Sequence, residues 1–239
     1  MRKIFCYELR RAVCNKFFVG LLAVCLFFGW QTLGGDIIRG ISHTAPFSPW
    51  SYGYYLAQTL PLLAVALFFL LWGIFSQEAR RVGVLTAAAP VDPASYLLIK
   101  CSAVVSAWLL LALSVAGLGV GFLVNLFGTA VSVHTLLLPL AVTFLPALLF
   151  TLGLGMAAGQ LHPALLFVFM CVVLALSFLP LPALWDLFGK NFFTEYPLSL
   201  GILDPAFAMT AAFIVGKVLY ASIGMLLIFV TIHTQRKRN

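Results

Sequence analysis

The chain has 239 residues, of which 63% are hydrophobic and only 9% charged, with a formal net charge of +7 at pH 7. Soluble domains carry about a quarter charged residues, so this composition excludes an ordinary soluble domain and points to an all-α, polytopic membrane protein. A β-barrel would alternate apolar and polar residues rather than run continuously apolar. A nucleic-acid-binding face would need a soluble basic surface, but here the basic residues sit at the chain ends and in one loop.

Within residues 1–16, positions 2–16 read RKIFCYELRRAVCNK. On a helical wheel Phe5, Leu9, Ala12 and Val13 share one face and Lys3, Arg10 and Arg11 the other, with Ile4 and Lys16 off pattern. The spacing predicts an amphipathic helix in the headgroup layer, its cations towards anionic lipid. The basic start followed by an apolar run has the outline of a signal peptide, but no small-residue cleavage site follows and the run is long enough to span.

Six spans are expected, at 17–34, 54–75, 98–125, 135–158, 164–181 and 210–232, each near the roughly 20 residues that cross hydrocarbon. Eleven of the fourteen Lys and Arg residues fall on one side: Arg2, Lys3, Arg10, Arg11, Lys16, Arg80, Arg81, Lys100, Arg236, Lys237 and Arg238. Arg39 and Lys190 fall on the other, and Lys217 lies inside the last span. This bias predicts that both termini and the loop after span 2 face the cytoplasm of a plasma membrane.

Span 2 carries Gln58, Thr59 and Pro61 within one turn. A buried amide needs partners and a proline frees a carbonyl, so these residues either line a pathway or bond to a neighbouring helix. The loop SQEARRVGVLTAAAPVDPASYLLIK concentrates Glu78, Arg80, Arg81, Asp92 and Lys100 in an otherwise uncharged region. Its signals predict a short surface helix stopped by Pro90, then a third span capped by Asp92 with Pro93 in its first turn. The loop therefore reads as an ordered knob, with 76–97 projecting from the membrane.

Spans 3 and 4 are glycine-rich, and the pairs Gly117/Gly121 and Gly155/Gly159 have the spacing that lets helices approach closely. Between spans 5 and 6, residues 182–209 are too broken by prolines to cross and too apolar for a free loop. Short re-entrant helices in the outer leaflet reconcile the two facts. Lys217 is the exception in the uncharged core. Either its stem snorkels outwards, or it pairs with Asp186, Glu195 or Asp204 and fixes an outer gate.

No catalytic motif, metal spacing or P-loop occurs, and the membrane core holds no acid for a proton relay. His43, His134, His162 and His233 are scattered at membrane boundaries. The five cysteines, Cys6, Cys14, Cys25, Cys101 and Cys171, read as unpaired thiols. No cofactor is expected on this chain.

The basic amphipathic lead-in, together with PVDPASYLLIK, carries a resemblance. Pro90, Val91, Leu97, Leu98 and Lys100 stand where permease subunits of type-2 ABC transporters commonly have a Pro-Val pair, a Leu-Leu pair and a lysine before span 3. The long apolar connector before span 6 is similar to that family's outer re-entrant helices. One departure lies ahead of Pro90: Gly83 is closer than the family's glycine, and no Glu follows it. The resemblance covers essentially the whole chain, as a single permease domain over 1–239.

It implies an exporter-class dimer, either of two copies or of this chain and a related permease. Each copy would dock a separate cytoplasmic ATPase, which holds the ATP and magnesium, through the N-terminal helix and the loop residues Glu78, Arg80, Arg81, Pro90 and Asp92. Spans 2 and 5 would line the path, making Gln58, Thr59, Phe68, Phe69, Phe167 and Met170 its candidate walls. The apolar walls suit a hydrophobic or amphipathic cargo such as a lipid, drug or antimicrobial peptide, and the resemblance is to bacterial systems. Rival readings are an ABC importer, from the EARRVG stretch, a secondary transporter without an ATPase, and a non-transporting assembly or sensor protein.

Overall fold

A computed structural model describes residues 2–76, 93–182 and 184–237. The coupling-loop candidates Glu78, Arg80, Arg81, Pro90 and Asp92 lie outside the described residues. Among those described, the regular structure is helical throughout, with no strand.

The N-terminal helix α1 (Arg2–Val13) is followed at once by α2 (Lys16–Gly35), where Asn15 caps the new helix by accepting from the Phe17 N–H at 3.2 Å. The expected amphipathicity of α1 is realised: Phe5, Leu9, Ala12 and Val13 are half-buried, and Lys3, Arg10 and Arg11 are exposed. Ile4, off the expected face, is half-buried too.

Helix α3 (Pro49–Phe75) begins five residues before the expected span, because Ser48 is an N-cap whose hydroxyl accepts from the Ser51 N–H and Pro49 fills the first turn. Helix α4 (Pro93–Phe127) starts on the proline expected to open it. Helix α5 (Val133–Leu161) follows after a short 3₁₀ turn.

Helix α6 (Ala164–Leu176) has 13 residues and stops short of the expected 181. Residues 177–179 leave the α-helix for tighter turns, with the Ser177 and Leu179 N–H groups bonding the Leu174 and Leu176 carbonyls at 3.2 Å. Pro180 and Pro182 explain the stop, since proline disfavours helical backbone at the residue before it. Helix α7 (Lys190–Ser199) lies in the broken segment, and α8 (Ala211–Lys237) closes the fold.

Among the described residues, five helices are long and apolar enough to cross a membrane: α2, α3, α4, α5 and α8. Helix α3 is the hub. It packs against α2, α4, α5, α6 and α7 and is the most deeply buried of the five. Helix α8 pairs along α5, where Gly153 and Gly224 let the two backbones meet and leave no room for a side chain. Gly155 and Gly159 give way to Leu71, Phe68 and Phe75 of α3, whereas Gly117 and Gly121 on α4 face no neighbour within 4 Å. The outer faces of α2, α4 and α8 present Phe27, Leu113 and Phe229, each more than half exposed and suited to an apolar solvent.

The bundle has two ends. The near end carries α1, the start of α4 and the ends of α3, α5 and α8. The far end carries the start of α3, the broken segment 177–210 and the start of α8.

Candidate functional site

The far end is built around a broken backbone that would be costly in an apolar medium unless its polar groups were satisfied. Asp186 does much of this work. It is 6% exposed, and its carboxylate accepts from the Gly189 N–H at 2.7 Å and the Asn191 N–H at 2.8 Å, capping the start of α7. Gly189 lies at φ +87°, a left-handed turn that favours glycine.

Lys217 reaches in from α8. Its Nζ donates to the Leu187 carbonyl at 2.6 Å and the Asp186 carbonyl at 3.3 Å, and lies 4.9 Å from the Phe213 ring centroid. The side chain is 4% exposed, so it is enclosed by protein rather than snorkelling outwards. It meets Asp186 through the backbone, because the carboxylate is already engaged by α7.

The other two acids expected near Lys217 are placed differently. Asp204 joins the two far-end loops: its carboxylate accepts from the Ala45 N–H and its own N–H donates to the His43 carbonyl, both at 3.1 Å. Ser42, His43 and Asp204 all hold positive φ, so this junction constrains strained backbone on both sides. Glu195 is exposed on α7 and forms no ion pair among the described residues.

Aromatic packing holds α7 against α3. Trp50, fully buried, touches Phe192, Phe193, Tyr196 and Phe207, and its Nε1 donates to the Pro205 carbonyl at 2.8 Å. Phe192 stacks on Phe213 at the start of α8, with 3.8 Å between centroids.

These supports leave a cavity of about 540 Å³ between α3, the end of α6, residues 185–191 and α8. Its wall is mostly apolar, with Phe28, Leu62 and Phe150 among its members, and it carries a few polar groups: Gln58, Ser177, Asp186, Lys190, Asn191 and Tyr220. Asp186 is engaged as a cap, Asn191 donates to the Leu181 carbonyl and Tyr220 to the Trp185 carbonyl. The Gln58 amide has no hydrogen-bond partner among the described residues, and Lys190 has no ion pair there. Pro61, one turn on from Ala57, has no N–H to offer the Ala57 carbonyl, and both residues line the same cavity. An apolar chamber with an unspent amide and an unspent ammonium suits an amphipathic molecule.

A second cavity, of about 480 Å³, lies at the near end between α1, the end of α3, the start of α4 and α6. Phe17, Phe69, Phe167 and Trp72 form its aromatic wall, with successive centroids 5.5, 6.1 and 5.8 Å apart. Glu8, Arg11, Asn15 and Lys100 edge it.

The six residues expected along one path are thus distributed. Gln58 lines the far-end cavity, and Phe69 and Phe167 line the near-end one. Thr59, Phe68 and Met170 are packed inside the bundle, and the Thr59 hydroxyl donates to the Leu56 carbonyl at 3.0 Å. Lys190 and Tyr220 in one cavity, and Arg11 and Lys100 in the other, escaped sequence reading as wall residues. The only sequence signal for Lys190, Arg11 and Lys100 was their charge, and Tyr220 offered none.

No group of three or more His, Cys, Asp or Glu residues among those described could hold a metal ion, and all five cysteines are free. Comparison with protein-family models, with curated proteins and with solved structures finds no match to this chain.

Proposed function

We propose that this chain is the membrane-spanning permease subunit of an ATP-driven ABC exporter, working as a dimer with separate ATPase subunits. The observation that carries the reading is the arrangement of the near end. Helix α1 packs across the start of α4 and borders a cavity shared with the end of α3. The family resemblance assigns ATPase docking to the N-terminal helix and the 76–97 loop, and that helix lies beside the end of α3 and the start of α4, which flank the loop. A force applied to one would reach α3, the hub of the bundle.

Helix α6 is the sixth crossing in this reading. Helix α5 ends beside Phe75 at the near end, and Gly216 of α8 lies against Leu184 at the far end. The chain must traverse the bundle between them, and α6 is the helix that lies on that route. Its 13 residues rise about 20 Å, and residues 177–182 continue towards the far end of a hydrocarbon layer about 30 Å thick. Helix α7 and its flanks then form an outer re-entrant cap, and the near end, with its excess of Lys and Arg, faces the cytoplasm.

The far-end cavity would receive a hydrophobic or amphipathic cargo, with Gln58 and Lys190 meeting its polar part. Cross-linking in native membranes followed by purification of this chain should recover a P-loop ATPase, whose hydrolysis rate changes when the permease is present. Reversal of Arg80 and Arg81 to Glu should abolish both the association and ATP-dependent cargo movement. Recovery of no ATPase would refute the reading.

A further inference from the structure

Phe69 and Phe167, two of the expected path walls, line the near-end cavity, but its lateral opening and cationic rim point to a role separate from that path. Its wall is a run of four rings contributed by α2, α3 and α6. Three of them are open to the surroundings: Phe17 is 48% exposed, Trp72 41% and Phe167 41%. Beside Trp72, a side chain built on Gly73 would meet nothing within 4 Å among the described residues, so these leave the cavity open through this face of α3 rather than closed under it. Of these, Trp72 is the ring type that favours the level where hydrocarbon gives way to headgroups.

The rim is cationic. Arg11 and Lys100 edge the cavity from two different helices, against one acid, Glu8. That acid neutralises little: Glu8 stands 3.9 Å from Arg11, whose side chain remains 64% exposed. Lys100 rests its ammonium 4.5 Å from the Tyr96 ring centroid and has no ion pair among the described residues. Asn15, between α1 and α2, adds an amide to the same edge. An apolar slot open to the side, with two cations at its mouth, matches one kind of molecule: a double-chain amphiphile with an anionic head.

We propose that this cavity is a binding site for one anionic phospholipid of the leaflet at the near end, its chains along Phe69, Phe167 and Trp72 and its phosphate between Arg11 and Lys100. Charge complementarity and the lateral opening select a lipid over a soluble anion, which would gain nothing from the aromatic wall. The lipid would tie α1 to the start of α4 and the end of α3.

The test titrates delipidated full-length protein with phosphatidylglycerol or phosphatidylcholine of equal chain length, read by native mass spectrometry. Phosphatidylglycerol should be retained preferentially at one site. Arg11→Gln and Lys100→Gln should each lower its affinity by about fivefold, the equivalent of about 1 kcal/mol per cation, whereas Arg11→Lys with Lys100→Arg should preserve it. Gly73→Leu should displace the lipid while the protein keeps its unfolding temperature, because the added side chain enters open space. Equal retention of both lipids, a preference indifferent to the Gln variants, or displacement of phosphatidylglycerol by inorganic phosphate at comparable concentration would each overturn the assignment.

Discussion

Lys217 of α8 donates to the main-chain carbonyl of Leu187 at 2.6 Å, so a buried cation is held by broken backbone rather than by a carboxylate. The arrangement is economical in a low-dielectric setting. Asp186 and Leu187 present carbonyls outside any helix, and an ammonium has three donors to give. Asp186, whose carbonyl also receives Lys217, spends its own carboxylate on α7.

Replacing Lys217 by Met should therefore leave the Asp186 and Leu187 carbonyls without their donor. The expected cost is about 1–3 kcal/mol for buried polar groups left unmade, read as a lower unfolding temperature in detergent. An unchanged unfolding temperature would remove Lys217 as the anchor of the far-end segment.

Asp186→Ala should loosen α7 specifically. Loss of an N-cap costs about 0.5–2 kcal/mol, and hydrogen exchange should rise over residues 190–199 more than in α3 or α5. Asp186→Asn keeps an acceptor and should fall between the two.

Gln58→Leu separates cargo recognition from stability. The amide has no partner among the described residues, so removing it should leave the unfolding temperature nearly unchanged. Binding of an amphipathic cargo at the far-end cavity should weaken, as followed by equilibrium binding to the purified protein. A large stability loss with unchanged binding would contradict the placement of Gln58 in a receptive wall.

The glycines predict a contrast within one residue type. Gly153→Ala places a methyl against the backbone at Gly224 and should destabilise through overpacking, by about 1–3 kcal/mol. Gly117→Ala meets open space and should be neutral or stabilise by about 0.5–1 kcal/mol through reduced backbone freedom. Paired thermal melts of the two variants check both signs.

Native thiols report orientation. Cys6 and Cys14 are exposed on and beside α1. In sealed cells an impermeant maleimide should leave both unlabelled and react only after permeabilisation, as the Lys and Arg bias requires. Labelling of intact cells would invert the topology.

Much of this architecture was legible in the chain alone, for a definite reason. Membrane solvent demands that long apolar segments satisfy their backbone internally, so α2, α3, α4, α5 and α8 follow from hydropathy, and the two faces of α1 from a 3.6-residue period. Local chemistry also marks ends: Pro93 opens α4, and the prolines after Phe178 stop α6. The Ser48–Pro49 signature of the start of α3 was present as well, though masked by the polar character of the preceding loop.

Contacts across the bundle were not legible, because they depend on which helix faces arrive together. Asp186 and Lys217 were each visible as charges in an apolar setting, yet nothing local says that one caps a helix while the other seeks carbonyls. Gly155/Gly159 and Gly117/Gly121 share one spacing, but the first pair receives the α3 side chains and the second faces outwards. The sequence by itself determined a helical protein, the helices long and apolar enough to cross a membrane, and where its Lys and Arg collect, since hydropathy and charge are properties of each residue independently. Only the tertiary structure decided that α3 is the hub, that Gln58 and Lys190 share a chamber, and that Lys217 is spent on backbone, since those outcomes depend on pairs of surfaces meeting.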